Sequence, residues 1–255
     1  MKITSWNVNS LKIRLEQVLD WMEANRPDVL GLQETKLTDD KFPLEAIEAA
    51  GYHAAFSGQP TYNGVALLSR SPAEDVRTDI PGFDDPHKRT IAGTFDGVRV
   101  INLYVVNGKA VGDEKYAWKL KWFEAVTRWI EAELAEHDDL VVIGDFNIAP
   151  GDADVHDPEE WHDKILCSTP EREALGRMLD LGLTDSYRLF DQPERVYSWY
   201  DYRQLAFRRK RGLRIDLALV SDALKDRVAA STIDLEPRAL ERPSDHAPVT
   251  VELKR

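Results

Sequence analysis

The chain has 255 residues, of which 43% are hydrophobic and 31% charged, with one cysteine and a formal net charge of −12. This length buries a sizeable core without staples, and the lone Cys167 excludes an intrachain disulfide, which fits a reducing compartment. No apolar run approaches the roughly 18 residues of a membrane span, and Met1-Lys-Ile-Thr-Ser-Trp-Asn7 lacks the apolar core of a signal peptide, so a cytoplasmic protein is expected. The net charge argues against a nucleic-acid binder, whose footprint is usually basic, although local distribution matters more than the average.

Ile3 to Val8 reads as a strand. The next segment carries Leu11, Leu15, Val18, Leu19 and Met22 at helical spacing, with Ser10 placed to cap it and Pro27 to end it. Asp28 to Glu34 is a second strand, so the first 34 residues form a βαβ-like unit. Pro43 to Ala50 is a short helix closed by Gly51. Strands Tyr52 to Phe56 and Val65 to Ser69 flank the turn-rich stretch from Gly58 to Gly64. Asp96-Gly97 is the strongest hairpin signal, joining Thr90–Phe95 to Val98–Val105. Asp113 to Glu136 is a long helix with an apolar stripe of Leu120, Phe123, Val126, Ile130 and Leu134, and its Trp118, Trp122 and Trp129 are assigned to packing.

Leu140-Val-Val-Ile-Gly-Asp-Phe-Asn-Ile-Ala-Pro150 follows. Its apolar half is a buried strand, and its second half presents an acid and an amide two residues apart. On extended chain Asp145 and Asn147 share one side, with Phe146 opposite. Two readings stand at this point: a site for a water and an oxyanion, or an Asx-type turn at a strand end. A polar loop runs from Gly151 to Ser168. Thr169-Pro170 starts a helix that buries Leu175, Met178 and Leu179. Val196–Tyr200, Ile215–Val220, Ser231–Leu235 and Pro248–Leu253 are further strand candidates. Two mixed sheets packed together with helices outside are expected, as one domain over residues 1–255.

Apolar strands repeatedly meet single polar residues at their ends: Asn7, Glu34, Asp145, Asn147, Asp216, Asp245 and His246. Strand ends are where polar residues go in any case, but they are also where a rigid scaffold presents free side chains. Asp216 lies within the apolar run Leu213–Leu219, where a carboxylate is expensive unless paired. His246 is its natural partner, and an ion pair with Arg214 or Arg211 is the other reading. Hard oxygen donors without a Cys/His cluster point to Mg²⁺ or Mn²⁺ rather than zinc.

Gly31-Leu-Gln-Glu-Thr-Lys36, Gly144-Asp-Phe-Asn-Ile-Ala-Pro150, Ser198-Trp-Tyr-Asp-Tyr202, Arg211-Gly-Leu-Arg-Ile-Asp216 and Pro243-Ser-Asp-His-Ala-Pro-Val249 occur in the order found in bacterial exonuclease III. The chain resembles that branch of the abasic-site (AP) endonuclease family from Lys2 to its end. The resemblance implies an α/β four-layer sandwich of the DNase I-like phosphohydrolases and Mg²⁺-dependent hydrolysis of DNA phosphodiesters. By motif match, Glu34 is the principal metal ligand, with Asn7 beside it and Asp245 near the metal. Asp145 orients or deprotonates the attacking water, Asn147 and His246 hold the scissile phosphate, Asp216 supports His246, and Tyr104 contacts the phosphate or assists the leaving group. Double-stranded DNA with abasic sites or damaged or recessed 3′ ends is the implied partner, and a monomer is expected.

Arg203, Arg208, Arg209, Lys210, Arg211 and Arg214 cluster beside Trp199, Tyr200 and Tyr202, a basic stretch interleaved with rings that suits phosphate contact and stacking. A solvated charged loop is the plain alternative. Lys88, Arg89 and Asn107 are further candidate contacts. The resemblance implies that Trp199, Leu213 and Ile215 line a pocket for a flipped-out abasic sugar. Two departures bear on activity: Val105-Val-Asn-Gly108 follows Tyr104 where the family commonly places a proline, and the loop carrying Asp152, Asp154, Asp157, Glu159 and Glu160 is strongly acidic. The competing functions are another DNase I-like phosphohydrolase with a non-DNA phosphate ester, which has no need of the basic-aromatic stretch, and a non-catalytic DNA-binding module, which predicts a missing catalytic residue.

Overall fold

The structure is a computed structural model that describes residues 1–254. Its twelve strands form two six-stranded sheets. The first contains β1 (Lys2–Asn7), β2 (Val29–Gln33), β3 (His53–Ser57), β4 (Val65–Ser69), β11 (Val228–Ile233) and β12 (Val249–Leu253), in the order β11-β12-β1-β2-β4-β3. The second contains β5 (Glu74–Arg77), β6 (Thr90–Phe95), β7 (Val98–Tyr104), β8 (Leu140–Asp145), β9 (Leu183–Asp185) and β10 (Asp216–Ser221), in the order β5-β6-β7-β8-β10-β9. Each sheet has one central parallel pair joined by a long crossover helix. β1 and β2 are bridged by α1 (Leu11–Asn25), and β7 and β8 by α3 (Glu114–Glu136). All other ladders are antiparallel.

Central strands β8 and β10 of the second sheet read as apolar runs because both faces are covered. In β8, Val141 and Ile143 face the other sheet, whereas Leu140 and Val142 pack against α3 and α5 (Thr169–Leu179). In β10, Ala218 and Val220 face inward while Leu217 and Leu219 meet the same helices. On the other side Trp6, Leu30 and Leu32 pack against Val18, Trp21 and Met22 of α1 and Ile47 of α2 (Leu44–Ala49). The result is helix, sheet, sheet, helix, the expected four layers. Between the sheets a polar clip fixes their relative position: the Asn102 amide nitrogen donates to the carbonyls of Leu32 (2.9 Å) and Ala66 (3.0 Å), and Gln33 Nε2 donates to Asn102 Oδ1 at 2.6 Å.

Several elements differ from expectation. Val196–Tyr200 is not a strand. Its Trp199 N–H reaches Leu213 and its Tyr200 N–H reaches Asp245, so successive residues bond different segments and no ladder continues. β11 covers Val228–Ile233 rather than Ser231–Leu235. β5 and β9 carry too few apolar residues to show a period, and both are sheet edges. Ser10 makes no cap bond, since its φ of 90° aims the side chain elsewhere. The remaining short helices are α4 (Pro158–Trp161) and α6 (Asp222–Lys225). Three of the five acids of the acidic loop are paired with arginines from other segments: Asp154 with Arg214 and Arg188, Asp152 with Arg172, and Glu160 with Arg211.

Gly144, directly before Asp145, adopts φ +151° because β7 passes so close that a Cβ would lie 2.1 Å from the Leu103 carbonyl oxygen. Gly144→Ala is expected to cost about 3 kcal/mol or more through backbone displacement. Urea unfolding measures this, and a loss below about 0.5 kcal/mol contradicts the close approach.

Candidate active site

The carboxyl ends of both parallel pairs lie at one end of the sandwich. Asn7 stands level with Gln33 in one sheet, and Tyr104 with Asp145 in the other. β10 runs antiparallel to β8 and begins there, pairing Asp216 with Asp145. The segment leading into β12 adds Asp245 and His246. Polar side chains from both sheets therefore meet where each strand stops.

At the centre, the His246 Nδ1–H donates to Asp216 Oδ2 at 2.8 Å. Asp216 is fully buried, and its backbone N–H is held by Ser198 Oγ at 2.9 Å. Arg214 turns the other way, as alternation along the chain requires, and pairs with Asp154 and Asp185, both at 2.6 Å. This decides between the two readings of Asp216. Burial alone would depress the His246 imidazole, but Asp216, Asp145 and Asp245 push it up to about 10. The ring is therefore an imidazolium at neutral pH, with its Nε2 facing Asp145 Oδ2 across 3.7 Å.

Asp145 bonds two ways. Its Oδ1 accepts the Asn147 N–H at 2.9 Å, and its Oδ2 accepts from Asn7 Nδ2 at 2.9 Å. β8 ends at Asp145, and Asn147 takes φ 48°. The Asx turn and the site are thus one object: the turn aims the amide, and Phe146 enters the core against Phe123. Burial raises the Asp145 carboxyl to about 7, with His246 opposing and Asp216 and Glu34 reinforcing the rise. Asn147 is fixed from both sides: its Nδ2 donates to Val105 O (2.9 Å) and its Oδ1 accepts from Asn107 Nδ2 (3.0 Å).

Glu34 sits at the mouth. Its Oε1 accepts from Asn7 Nδ2 and from the Tyr104 hydroxyl, each at 2.9 Å, and its Oε2 pairs with Lys36 at 2.8 Å. Burial raises the Glu34 carboxyl, but Lys36 and Asn7 outweigh it and leave the group below its ordinary value. Tyr104 stays a phenol, held well above its usual range by burial, Glu34 and Asp145. Arg89 stacks 4.9 Å over the Tyr104 ring. Asp245 accepts from Trp199 Nε1 and Asn9 Nδ2, each at 3.0 Å. Burial raises its carboxyl, yet His246 and these bonds bring it below the ordinary value.

Asp145, Asp216 and His246 offer ligand atoms within 4.8 Å of one another, a group with the donors a metal ion needs. Within that group, His246 Nδ1 is already committed to Asp216. Glu34 and Asp145, bridged by Asn7 Nδ2, and Asp245, joined to Asn9, are oxygen donors of the kind a hard divalent cation takes. Four carboxyl groups, Glu34, Asp145, Asp216 and Asp245, stand here against the two basic groups Lys36 and His246. Asn7 presents its nitrogen to the carboxylates, while its Oδ1 accepts the Asn9 N–H at 3.0 Å. Ligation through that oxygen requires turning the amide.

The expected sugar pocket is not open. Leu213 and Ile215 are 0% and 1% exposed, inside an apolar cluster with Ala149, Val155, Leu166 and Cys167, covered by Trp161 and Trp199. A recess of about 180 Å³ lies between His156, Trp161, Trp199, Arg203 and Arg211. The basic stretch is also smaller than its sequence suggests, because Arg214 is buried and Arg211 is paired with Glu160 at 2.8 Å. Arg203 remains exposed.

The chain matches the Endonuclease/Exonuclease/phosphatase family over residues 4–246. It belongs to that family. It is 38% identical to exodeoxyribonuclease III of Haemophilus influenzae, with all of both chains covered. Among solved structures, it is similar to the Neisseria meningitidis 3′-5′ exonuclease NExo (54% identity, TM-score 0.98, all of both chains). NExo from Neisseria has also been solved as a 3′ phosphatase bound to a product DNA hairpin (53%, TM-score 0.98, all of both chains). An AP endonuclease from Archaeoglobus fulgidus is 36% identical with a TM-score of 0.96 over all of both chains. Among the described residues no helix is long and apolar enough to cross a membrane.

Sequence reading missed the support beneath Asn147. Lys119 is fully buried, donates to the carbonyls of Asn147 (2.7 Å) and Asn107 (3.2 Å), and pairs with Glu171. Glu171 in turn accepts from the backbone of Leu166 and Ser168 at the start of α5. The signal was present: Lys119, Trp122, Val126, Trp129 and Glu133 share the buried phase of α3. Lys119→Met strands a buried carboxylate and is expected to cost about 3–5 kcal/mol. Adding Glu171→Gln should restore part of that loss in a urea-unfolding cycle. A double variant less stable than Lys119→Met contradicts the pairing.

Proposed function

We propose that this chain is a divalent-cation-dependent DNA-repair nuclease of the exonuclease III type, acting chiefly at 3′ ends as a 3′→5′ exonuclease and 3′-phosphatase. The single observation that carries the emphasis on ends is the burial of Leu213 and Ile215, the expected walls of a sugar pocket, inside an apolar cluster rather than along an open recess. Its likeness to NExo, titled both 3′-5′ exonuclease and 3′ phosphatase, supports the same emphasis. Incision 5′ to abasic sites is the second reading, favoured by the likeness to the Archaeoglobus AP endonuclease. Residues 1–255 are read as one nuclease domain, since the first sheet draws strands from both ends of the chain.

Hydrolysis forms a water O–P bond and breaks the P–O bond to the leaving group. Asp145 receives the water's proton, and a carboxylate raised toward neutrality is suited to that task. The His246 imidazolium, oriented by Asp216, offers Nε2–H to a phosphate oxygen, and Asn147 supplies the amide beside it. These preorganised donors stabilise charge that develops only in the transition state. Tyr104 is a neutral phenol able to donate to phosphate or leaving oxygen. Glu34, Asn7 and Asp245 are the residues that would hold a Mg²⁺ or Mn²⁺ ion, which when bound would neutralise phosphate charge. Arg89, Asn107, Trp199 and Arg203 are the proposed DNA contacts, with Arg211 as a contact only when released from Glu160.

The test uses three end-labelled duplexes, with a 3′-phosphate, an undamaged recessed 3′ end and an internal abasic-site analogue, each with Mg²⁺ or EDTA. Phosphate release and end digestion in Mg²⁺ alone, with little abasic incision, are expected. Strong incision with inert ends favours the second reading, and three inert DNAs beside a hydrolysed soluble phosphate ester overturn the DNA assignment. Asp145→Asn and His246→Ala should each lose about 10³-fold or more in rate while binding DNA.

A further inference from the structure

Glu34 and Lys36 are both left-handed, each at φ 54°, with buried Thr35 between them. Such a conformation is costly for side-chain-bearing residues, so the surroundings must impose it. They do: the Thr35 N–H donates to Gly64 O (3.1 Å) and the Lys36 N–H to Asn63 O (2.9 Å). Gly64 itself, at φ +89°, leaves no space for a side chain, since a Cβ would lie 2.2 Å from Thr35 Oγ. The rigid loop brings the acid and the ammonium two residues apart into contact.

Lys36 Nζ lies 2.8 Å from Glu34 Oε2 and 2.6 Å from Asn9 Oδ1. Asn9 is anchored on its other side, its Nδ2 donating to Asp245 Oδ1 at 3.0 Å. The ammonium therefore has two holders, one a carboxylate that a cation would claim and one a neutral amide that a cation does not need. Glu34 and Lys36 are 17% and 24% exposed, so an ion can reach them from solvent. We propose that Lys36 is a built-in counter-cation: it neutralises and positions Glu34 when no divalent ion is bound, and is displaced onto Asn9 when one arrives. This rests on Glu34 being the cation ligand. The expected consequence is a set-point for ion affinity. Lys36 weakens divalent binding by direct competition, and in exchange keeps Glu34, linked through Asn7 to Asp145, from repelling its neighbours in the ion-free protein.

The probe is Mn²⁺ binding to the full chain, followed by electron paramagnetic resonance after EDTA stripping, alongside thermal melting in EDTA and in saturating Mn²⁺. Lys36→Met is expected to bind Mn²⁺ about tenfold more tightly and to melt lower than the parent in EDTA, with the gap closing in Mn²⁺. Lys36→Gln, which retains a donor for Glu34, should shift affinity in the same direction. Lys41→Met removes the same charge from a nearby exposed turn and should leave affinity unchanged. Mn²⁺ affinity of Lys36→Met and Lys36→Gln no tighter than that of Lys41→Met, or a melting deficit that persists in Mn²⁺, overturns the proposal. Glu34→Gln separates the two layers. Parent-like Mn²⁺ binding in that variant removes Glu34 as ligand, whereas weakened binding there with no gain in the Lys36 variants removes only the counter-cation role.

Discussion

The bond from His246 Nδ1 to Asp216 Oδ2 is the interaction on which the site depends. It joins the two sheets at their active end, since Asp216 opens β10 and His246 precedes β12. A buried carboxylate is tolerated only with a partner, and removing one member of such a pair leaves an uncompensated charge. The bond also fixes which ring nitrogen points outward, and it raises the basicity of the ring until Nε2 is a donor at neutral pH. Asp145, facing that nitrogen, then has a cation beside it. The roles proposed for Asp145 as proton acceptor and His246 as phosphate donor would both follow from one buried pair.

Backbone strain gathers around this centre. Asn9, Ser10, Glu34, Lys36 and Asn147 all have positive φ, at or just past the ends of β1, β2 and β8. Each bends the chain away from the line of its strand, and the side chains of Asn9, Glu34, Lys36 and Asn147 join the hydrogen-bond network there. Unfavourable conformations of this kind persist where surrounding structure over-determines them. Here it does so through Arg14, which donates to the Asn9, Arg242 and Pro243 carbonyls, through the Gly64 cradle, and through Lys119 beneath Asn147.

Residue patterns carried the layers and most of the polar side chains that meet at the end of the sandwich. Strands covered on both faces announce themselves as apolar runs, and Asp216, isolated in such a run, demanded a partner that His246 supplied. What sequence could not show were bonds between distant segments. Val196–Tyr200 has strand composition but shares its N–H groups between two partners. Arg211 and Arg214 look like DNA contacts until Glu160, Asp154 and Asp185 are found against them. Leu213 and Ile215 have the right character for a pocket wall, yet their neighbours Leu166 and Trp161 come from a polar loop with no periodicity to betray its packing. Lys119 was hidden by its charge, which reads as solvent-facing although its helical phase is buried.

The net charge of −12 is an average: Asp152, Asp154 and Glu160 are each paired with arginines, and Glu34, Asp145, Asp216 and Asp245 gather at one end of the sandwich. The account stands on His246 being a cation oriented by Asp216. Nitrogen-15 NMR of the imidazole in ion-free protein tests this directly. In the parent, both ring nitrogens should remain protonated at pH 7, with deprotonation centred near the raised value of about 10, and Asp216→Asn should bring it down toward the ordinary histidine range. A neutral His246 at pH 7 in the parent, or a titration unmoved by Asp216→Asn, contradicts the account.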